Sequence, residues 1–223
     1  MSKKAELISN YFATIYLTVI SLLQSIALSQ LVPIIIVYMQ TTEHPWTDVH
    51  LLPLLLMLLI IFIVWHHYAI GIFFLRWFPN IIDTIIPFMV SIGQFFLISF
   101  LTIKSTTDSM QIEIWTKGFA VFLVTGSVAY FGAAWRLDPE LFTNIMTRQA
   151  ADRHGRYVRR YYSLAGCSIL VQGLFAFLIA LIHTEQLLLF SLIFMLIHLI
   201  VTEYALTKTI QPHFIKAMDE YEE

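Results

Sequence analysis

Residues 51–75 have the sequence LLPLLLMLLIIFIVWHHYAIGIFFL, which contains no Asp, Glu, Lys or Arg. A helix needs about 20 mostly apolar residues to cross the hydrocarbon core of a membrane, and this stretch exceeds that length. The strands of membrane β-barrels are different, because they have about ten residues of alternating polarity. The stretch therefore predicts a transmembrane helix.

Five further runs have the length and composition of a membrane span. They lie near residues 11–39, 81–103, 114–135, 161–183 and 187–207. The 223-residue chain is 58% hydrophobic and only 13% charged, which is too few charges to cover the surface of a soluble protein. We predict an all-α, polytopic transmembrane helical bundle of about six spans, forming one domain over 1–223. Its environment is the lipid bilayer, and we expect no nucleic-acid partner.

The distribution of basic residues predicts the orientation of the spans. Eleven lysines and arginines fall on one side of the predicted bundle, while only Lys104 and Lys117 fall on the other. Cytoplasmic loops are enriched in Lys and Arg, so we place both termini inside and the loops at 40–50, 104–113 and 184–186 outside. The chain has no Asn-x-Ser/Thr glycosylation acceptor. We expect an integral protein of a bacterial inner membrane.

One segment predicted to be cytosolic, 136–160, is long enough to have structure of its own. Asp138 can cap a helix, Pro139 suits its first position, and Gly155 can end it. The helix 138–155 would be amphipathic, lying on the inner membrane surface, against a cytosolic partner, or under its own bundle. Five arginines in this region are predicted to contact anionic lipids or a partner. They are Arg148, Arg153, Arg156, Arg159 and Arg160.

Every predicted span has a polar residue roughly 9 to 14 residues from its predicted cytosolic end. At about 1.5 Å per residue, this places the polar groups about 14 to 21 Å deep, near the middle of the bilayer. Such a layer is a hydrogen-bonded core, a ligand site or a conduction pathway. Its members are Gln24, His66, Gln94, the pair Thr125 and Ser127, Gln172 and His198.

The histidines and one acid are the main candidates for chemistry. His66 and His198 each lie ten residues from a predicted cytosolic boundary, so we predict a polar cluster of His66, His198 and Glu203. Adjacent His66 and His67 should point about 100° apart and face different partners, with either of them pairing with Glu203. Three interpretations stay open: core hydrogen bonds to Ser91 or Gln94, a proton relay or pore lining, and a metal or b-type haem on His66 and His198.

Function is predicted only by class. The chain has no potassium-channel filter, phosphate-binding loop, His-Glu-x-x-His motif or nucleophile elbow. The polar layer favours a small channel or transporter, which we expect to form a homo-oligomer. The alternative is a membrane sensor or effector subunit that docks cytosolic proteins through 138–155 or the acidic C-terminal tail. A membrane cytochrome or enzyme is the third candidate.

Overall fold

The protein is described here by a computed structural model covering residues 3–44, 46, 48, 50–75, 81–102, 108–143, 145–182 and 184–222. Side chains are described for 14–44, 46, 48, 50–71, 85–102, 111–140, 142–143, 145–182, 184, 186–205 and 207–209. These parts of the chain are mainly helical and contain no β-strand. The long helices are α1 (Lys3–Thr41), α2 (Leu51–Leu75), α3 (Ile81–Thr102), α4 (Asp108–Arg136), α5 (Arg148–Ile182) and α6 (Glu185–Glu222).

All six helices contain a segment long and apolar enough to cross a membrane. The segments are Thr14–Thr41, Leu51–Gly71, Ile85–Thr102, Gln111–Arg136, Arg148–Ile182 and Gln186–Thr209. The prediction of an all-α, polytopic bundle with six spans is therefore confirmed. The turn at 76–80 and the first part of the 104–113 loop lie outside the described residues. The inside location of both termini stays a prediction.

Polarity in the bundle is arranged as lipid solvation requires. Large apolar side chains lie on the outside, including Phe96, Val128 and Val171, each more than 60% exposed. Gln24, Gln94 and other polar side chains are instead buried between helices. In water this pattern would be unfavourable, because it leaves large apolar side chains exposed to solvent. In hydrocarbon it places apolar groups against lipid and polar groups against protein.

Helix α4 packs most closely against α5. At Gly173 of α5, an added Cβ would lie 3.0 Å from the carbonyl oxygen of Ala120 and 2.9 Å from Cγ2 of Val124. Because packing rather than the hydrophobic effect drives helix association in lipid, small residues at such contacts let two backbones approach. The α4–α5 pair therefore forms a close-packed unit in the bundle.

The prediction of an amphipathic helix over 138–155 is wrong. Asp138 accepts a hydrogen bond from the backbone N–H of Glu140, but it caps only a short 3₁₀ turn, Pro139–Phe142. Helix α5 then starts at Arg148 and continues through Gly155. An added Cβ at Gly155 would lie 2.7 Å from Cγ of Pro139, so this glycine permits close packing of the turn and does not end a helix.

The apolar side chains of that segment are covered by their own chain. Phe142 and Met146 are fully buried and belong to a hydrophobic cluster with Val158 and Tyr162 of α5. They are thus covered by protein and are not open to the membrane surface or to a partner. The physical reason is that the 3₁₀ turn folds back onto the first turns of α5.

The basic end of the bundle is formed largely by α5. With 35 residues, α5 is about 52 Å long, whereas the hydrocarbon core is about 30 Å thick. Its first half therefore extends beyond the apolar layer, and it includes all five of the arginines predicted to contact lipid or a partner. All five are exposed, and Arg159 also donates a hydrogen bond to the carbonyl oxygen of Leu137. The side chains of the acidic C-terminal tail, Asp219, Glu220, Glu222 and Glu223, lie outside the described residues.

Candidate functional site

Glu203 of α6 lies between two histidines of α2. Its Oε1 contacts Nδ1 of His66, and its Oε2 lies 2.8 Å from Nε2 of His67. The side chain of Glu203 is 20% exposed and that of His67 is 15% exposed. A carboxylate in a membrane helix is costly unless it is paired, and these contacts supply its partners. The carboxylate therefore connects α2 and α6.

Tyr130 of α4 adds a third helix to this group. Its hydroxyl lies 3.0 Å from Nε2 of His67, the same nitrogen that contacts Glu203. That nitrogen can hold one hydrogen at most, yet it faces two oxygen atoms. If one of these side chains gains or loses a proton, the roles of hydrogen-bond donor and acceptor around His67 must therefore change. We call His66, His67, Glu203 and Tyr130 the protonation network.

The geometry of the two histidines differs from the sequence expectation. Their rings are inclined by 78° and their centroids are 6.4 Å apart, as adjacent helical positions require. They nevertheless contact one partner, because a carboxylate has two oxygens and Glu203 places one against each ring. The prediction that His66 and His67 face different partners is wrong for this reason.

His198 is not part of the protonation network. Its Nε2 lies 2.6 Å from Oγ of Ser168 on α5, and its ring stacks near Phe194. His198 and Glu203 share α6 but are five positions apart, which places them on different faces of the helix. The predicted cluster of His66, His198 and Glu203 is thus divided, and His67 and Tyr130 take the place of His198.

The buried glutamines do not form a continuous hydrogen-bonded layer in the described part of the chain. Gln24, Gln94 and Gln172 are at most 4% exposed. The side-chain oxygen and nitrogen of Gln94 and Gln172, and the oxygen of Gln24, have no hydrogen-bond partner among the described residues. Ser127 donates to the carbonyl oxygen of Val124, and exposed Thr125 donates to that of Val121.

Metal and haem sites gain no geometric support from the described side chains. No group of three or more His, Cys, Asp and Glu residues within them is arranged to hold a metal ion. Of the pair considered for haem ligation, His66 contacts Glu203 through Nδ1 and His198 contacts Ser168 through Nε2. The polar contacts that the structure shows at these two imidazoles are hydrogen bonds to protein side chains.

A cavity of about 130 Å³ adjoins the protonation network. His67 and Tyr130 line it, together with Arg136 at the end of α4, while Ile60 and Phe122 line its deeper part. All six helices contribute to its wall. We call this space the inner cavity, because its polar end lies at the predicted cytosolic side.

A second space of about 370 Å³ lies at the opposite end of the bundle, between α1, α2, α3 and α4. We call this space the outer vestibule, and Asp48 and His50 line it. Nδ1 of His50 lies 2.7 Å from Oδ1 of Asp48, and the backbone N–H of His50 donates a 2.8 Å hydrogen bond to the same oxygen. Burial raises the pKa of Asp48, but the hydrogen bonds from His50 and Tyr38 outweigh it and hold the pKa below its ordinary value. Asp48 is therefore an anion at the vestibule wall.

An aromatic stack on α4 lies between the two spaces. Trp115 lines the outer vestibule and Phe122 lines the inner cavity. Phe119 is fully buried and stacks on both, with ring centroids 4.8 Å from Trp115 and 6.1 Å from Phe122. We call these three residues the aromatic stack.

Three residues of these sites were not predicted from the sequence: Tyr130, Phe119 and Asp48. Phe119 and Tyr130 are apolar or amphipathic residues in an apolar helix, so nothing in the sequence distinguishes them from ordinary packing residues. Asp48 lies two residues before His50 in a short loop, and that Asp-x-His spacing was the one signal available.

Comparison with known proteins found no family model, curated protein or solved structure that matches this chain. The function of this chain therefore has to be inferred from the geometry and chemistry of its own site.

Proposed function

We propose that this protein is a small transporter or channel whose pathway follows α4 from the outer vestibule to the inner cavity. The observation that carries this proposal is the pair of spaces at opposite ends of the bundle with buried Phe119 between them. Apolar constrictions gate pathways by excluding water, and we infer that the aromatic stack acts as such a constriction. The structure then corresponds to a closed state.

The protonation network gives the pathway a titratable element. His67 and Tyr130 belong both to the network and to the wall of the inner cavity, so a change of protonation at His67 alters the cavity directly. Ionisable groups inside a membrane bundle commonly mark proton or ion pathways. We infer that transport is coupled to, or controlled by, protonation of this network.

A proton-flux measurement tests the pathway. The purified protein would be reconstituted into liposomes loaded with a pH-sensitive dye, and a potassium diffusion potential would drive protons. Phe119→Leu keeps an apolar side chain but removes the ring between Trp115 and Phe122, so we expect a severalfold larger proton flux than in wild type. Phe96→Leu makes the same change on the exposed side of α3 and should leave the flux at the wild-type level.

The outcome is decisive when assembly is checked in parallel. If Phe119→Leu is folded, by size-exclusion profile and thermal unfolding, and its liposomes are no more permeable to protons than empty ones, the pathway along α4 is refuted. Equal increases in Phe119→Leu and Phe96→Leu would also refute it, because loosening of the bundle would then explain the flux.

A further inference from the structure

One side of α5 carries a regular row of exposed apolar side chains. Leu164, Val171 and Leu178 are seven residues apart, which is close to two helical turns, and each of them is 60% to 65% exposed. On the outside of a membrane bundle, such side chains lie against the acyl chains of lipids. We call this side of α5, defined by these three residues, the lipid-facing stripe.

Two exposed arginines continue the lipid-facing stripe toward the start of α5. Arg160 precedes Leu178 by five full turns at about 3.6 residues per turn, so the two side chains leave the helix in the same direction. Arg156, four residues earlier, lies about 40° from that direction. Both arginines are exposed. Arg153 lies on this side too, but it has a further interaction within the protein, so we leave it out of the site.

Trp135 of α4 marks the depth of the membrane surface beside these arginines. Its side chain is 87% exposed, and tryptophan is enriched at membrane–water interfaces. Leu137, just after α4, accepts a hydrogen bond from Arg159, the residue before Arg160. This bond holds the end of α4 level with Arg160. Arg160 also lies about 6 Å beyond Leu164 along the helix, and lipid headgroups occupy about 5 to 8 Å on each side of the hydrocarbon core. Arg160 is therefore at headgroup depth.

Arg156 and Arg160 form no ion pair with any of the described residues. Side chains four residues apart on a helix are neighbours, with Cβ atoms about 5 to 6 Å apart, so the two positive charges repel each other. Asp152 of the same helix lies about 12 Å further from the membrane than Arg160. A phosphate group between the two guanidinium groups would offset their repulsion and accept paired, charge-assisted hydrogen bonds from them.

We propose that Arg156 and Arg160 bind the phosphate of an anionic phospholipid whose acyl chain lies along the lipid-facing stripe. An anionic lipid brings net negative charge to the two arginines, whereas the ammonium group of a zwitterionic lipid offsets the charge of its own phosphate. The stripe favours a lipid over free phosphate, because it extends from the arginines directly into the hydrocarbon layer. This site does not depend on the proposed function, since the outer surface of α5 forms it and the inner cavity does not.

The single cysteine of the chain provides a reporter for this site. Cys167 is exposed and lies seven residues after Arg160, on the same side of α5. A bimane fluorophore attached to Cys167 of the full chain, in nanodiscs of phosphatidylcholine, would be quenched by lipids with brominated acyl chains. Brominated phosphatidylglycerol and brominated phosphatidylcholine would be compared at the same low fraction. We expect quenching at least about twofold stronger with the anionic lipid, and no reduction by added inorganic phosphate.

Substitutions on two sides of α5 distinguish a lipid site from general attraction by the basic end of the bundle. Arg156→Gln and Arg160→Gln should each reduce the preference for phosphatidylglycerol, and the double variant should abolish it. Arg148→Gln and Arg159→Gln each remove the same charge, but they lie about 100° to 120° from Arg160 around the helix axis. Both should keep the preference, provided that thermal unfolding shows them to be folded.

Three results would overturn the proposal. The first is equal quenching by the two brominated lipids in the wild-type protein. The second is an equal loss of preference in Arg148→Gln and Arg160→Gln, because diffuse attraction of anionic lipids by the whole basic end would then explain it. The third is displacement of phosphatidylglycerol by inorganic phosphate, which would show that the arginines bind a free anion without using the lipid-facing stripe.

Discussion

Oε2 of Glu203 lies 2.8 Å from Nε2 of His67, although the two residues are 136 positions apart in the chain. This contact joins the sixth helix to the second and brings an acid and an imidazole to the edge of a cavity. With His66 on the other carboxylate oxygen, it makes Glu203 the centre of a side-chain network that includes residues of α2, α4 and α6.

Glu203→Gln and His66→Gln should both flatten the pH dependence of transport. Because the proposed transport depends on proton exchange within the network, we expect wild-type flux to vary between about pH 5 and 8, the range in which histidine side chains commonly change charge. Glutamine retains hydrogen-bonding capacity but cannot exchange a proton in this range. Flux in liposomes buffered at several pH values measures the effect. Glu113→Gln, an acid at the opposite end of α4, is the control, and an unchanged profile in both network variants would refute a protonation role.

Replacing the buried glutamines by leucine should not destabilise the protein. The amide groups of Gln94 and Gln172 have no partner among the described residues, so the substitution removes unpaired buried polar atoms. Ser168→Ala should cost about 0.6 kcal/mol, up to about 1.7, since it removes a bond to His198. The thermal unfolding midpoints of Gln94→Leu, Gln172→Leu and Ser168→Ala in detergent measure these effects. A larger loss in the leucine variants would show that these amides are hydrogen-bonded.

The two glycines of the α4–α5 region should respond in opposite ways to alanine. Gly173→Ala forces a methyl group against the carbonyl oxygen of Ala120 and should cost about 1 to 3 kcal/mol, the range for overpacked sites. Gly126→Ala enters open space and should be neutral or stabilising. Unfolding midpoints of both variants give the comparison. Equal destabilisation would mean that the inner cavity is closed in the membrane.

Asp48 should stabilise the protein in a pH-dependent way. Because its pKa is lowered in the folded state, its contribution is present above the ordinary carboxyl pKa of about 3.9 and is lost as the pH falls through the lowered value. Asp48→Asn should therefore melt below wild type at neutral pH, and the difference should shrink under acid conditions below about pH 4. If the difference in melting temperature between Asp48→Asn and wild type did not change with pH, the charge of Asp48 would not be its cause.

The predicted orientation can be tested by cysteine labelling. In a Cys167→Ser background, Glu43→Cys and Thr184→Cys should react with an impermeant thiol reagent from outside intact cells. Thr147→Cys lies beside the arginine-rich start of α5 and should react only after lysis. All three positions are exposed. External labelling of Thr147→Cys would overturn the placement of both termini inside.

The number of spans followed directly from local properties of the sequence. An apolar run such as 51–75 has one stable state in lipid, because every backbone N–H and C=O must be hydrogen-bonded within the segment. Span boundaries predicted from apolar residues differ from helix boundaries where charged residues continue a helix. The predicted span 161–183 is the apolar part of α5, and the helix itself starts at Arg148 because Arg, Gln and Ala are good helix formers in water as well.

Only the tertiary structure decided which polar residues meet. Sequence fixes the depth of His66, His198 and Glu203, but contacts depend on how each helix is rotated about its axis, and packing against neighbours sets that rotation. His198 is therefore turned toward Ser168, whereas Glu203 faces both histidines and Tyr130. The inner cavity likewise exists because neighbouring side chains leave the space beside Gly126 empty, which is a property of the assembled helices and of no single one.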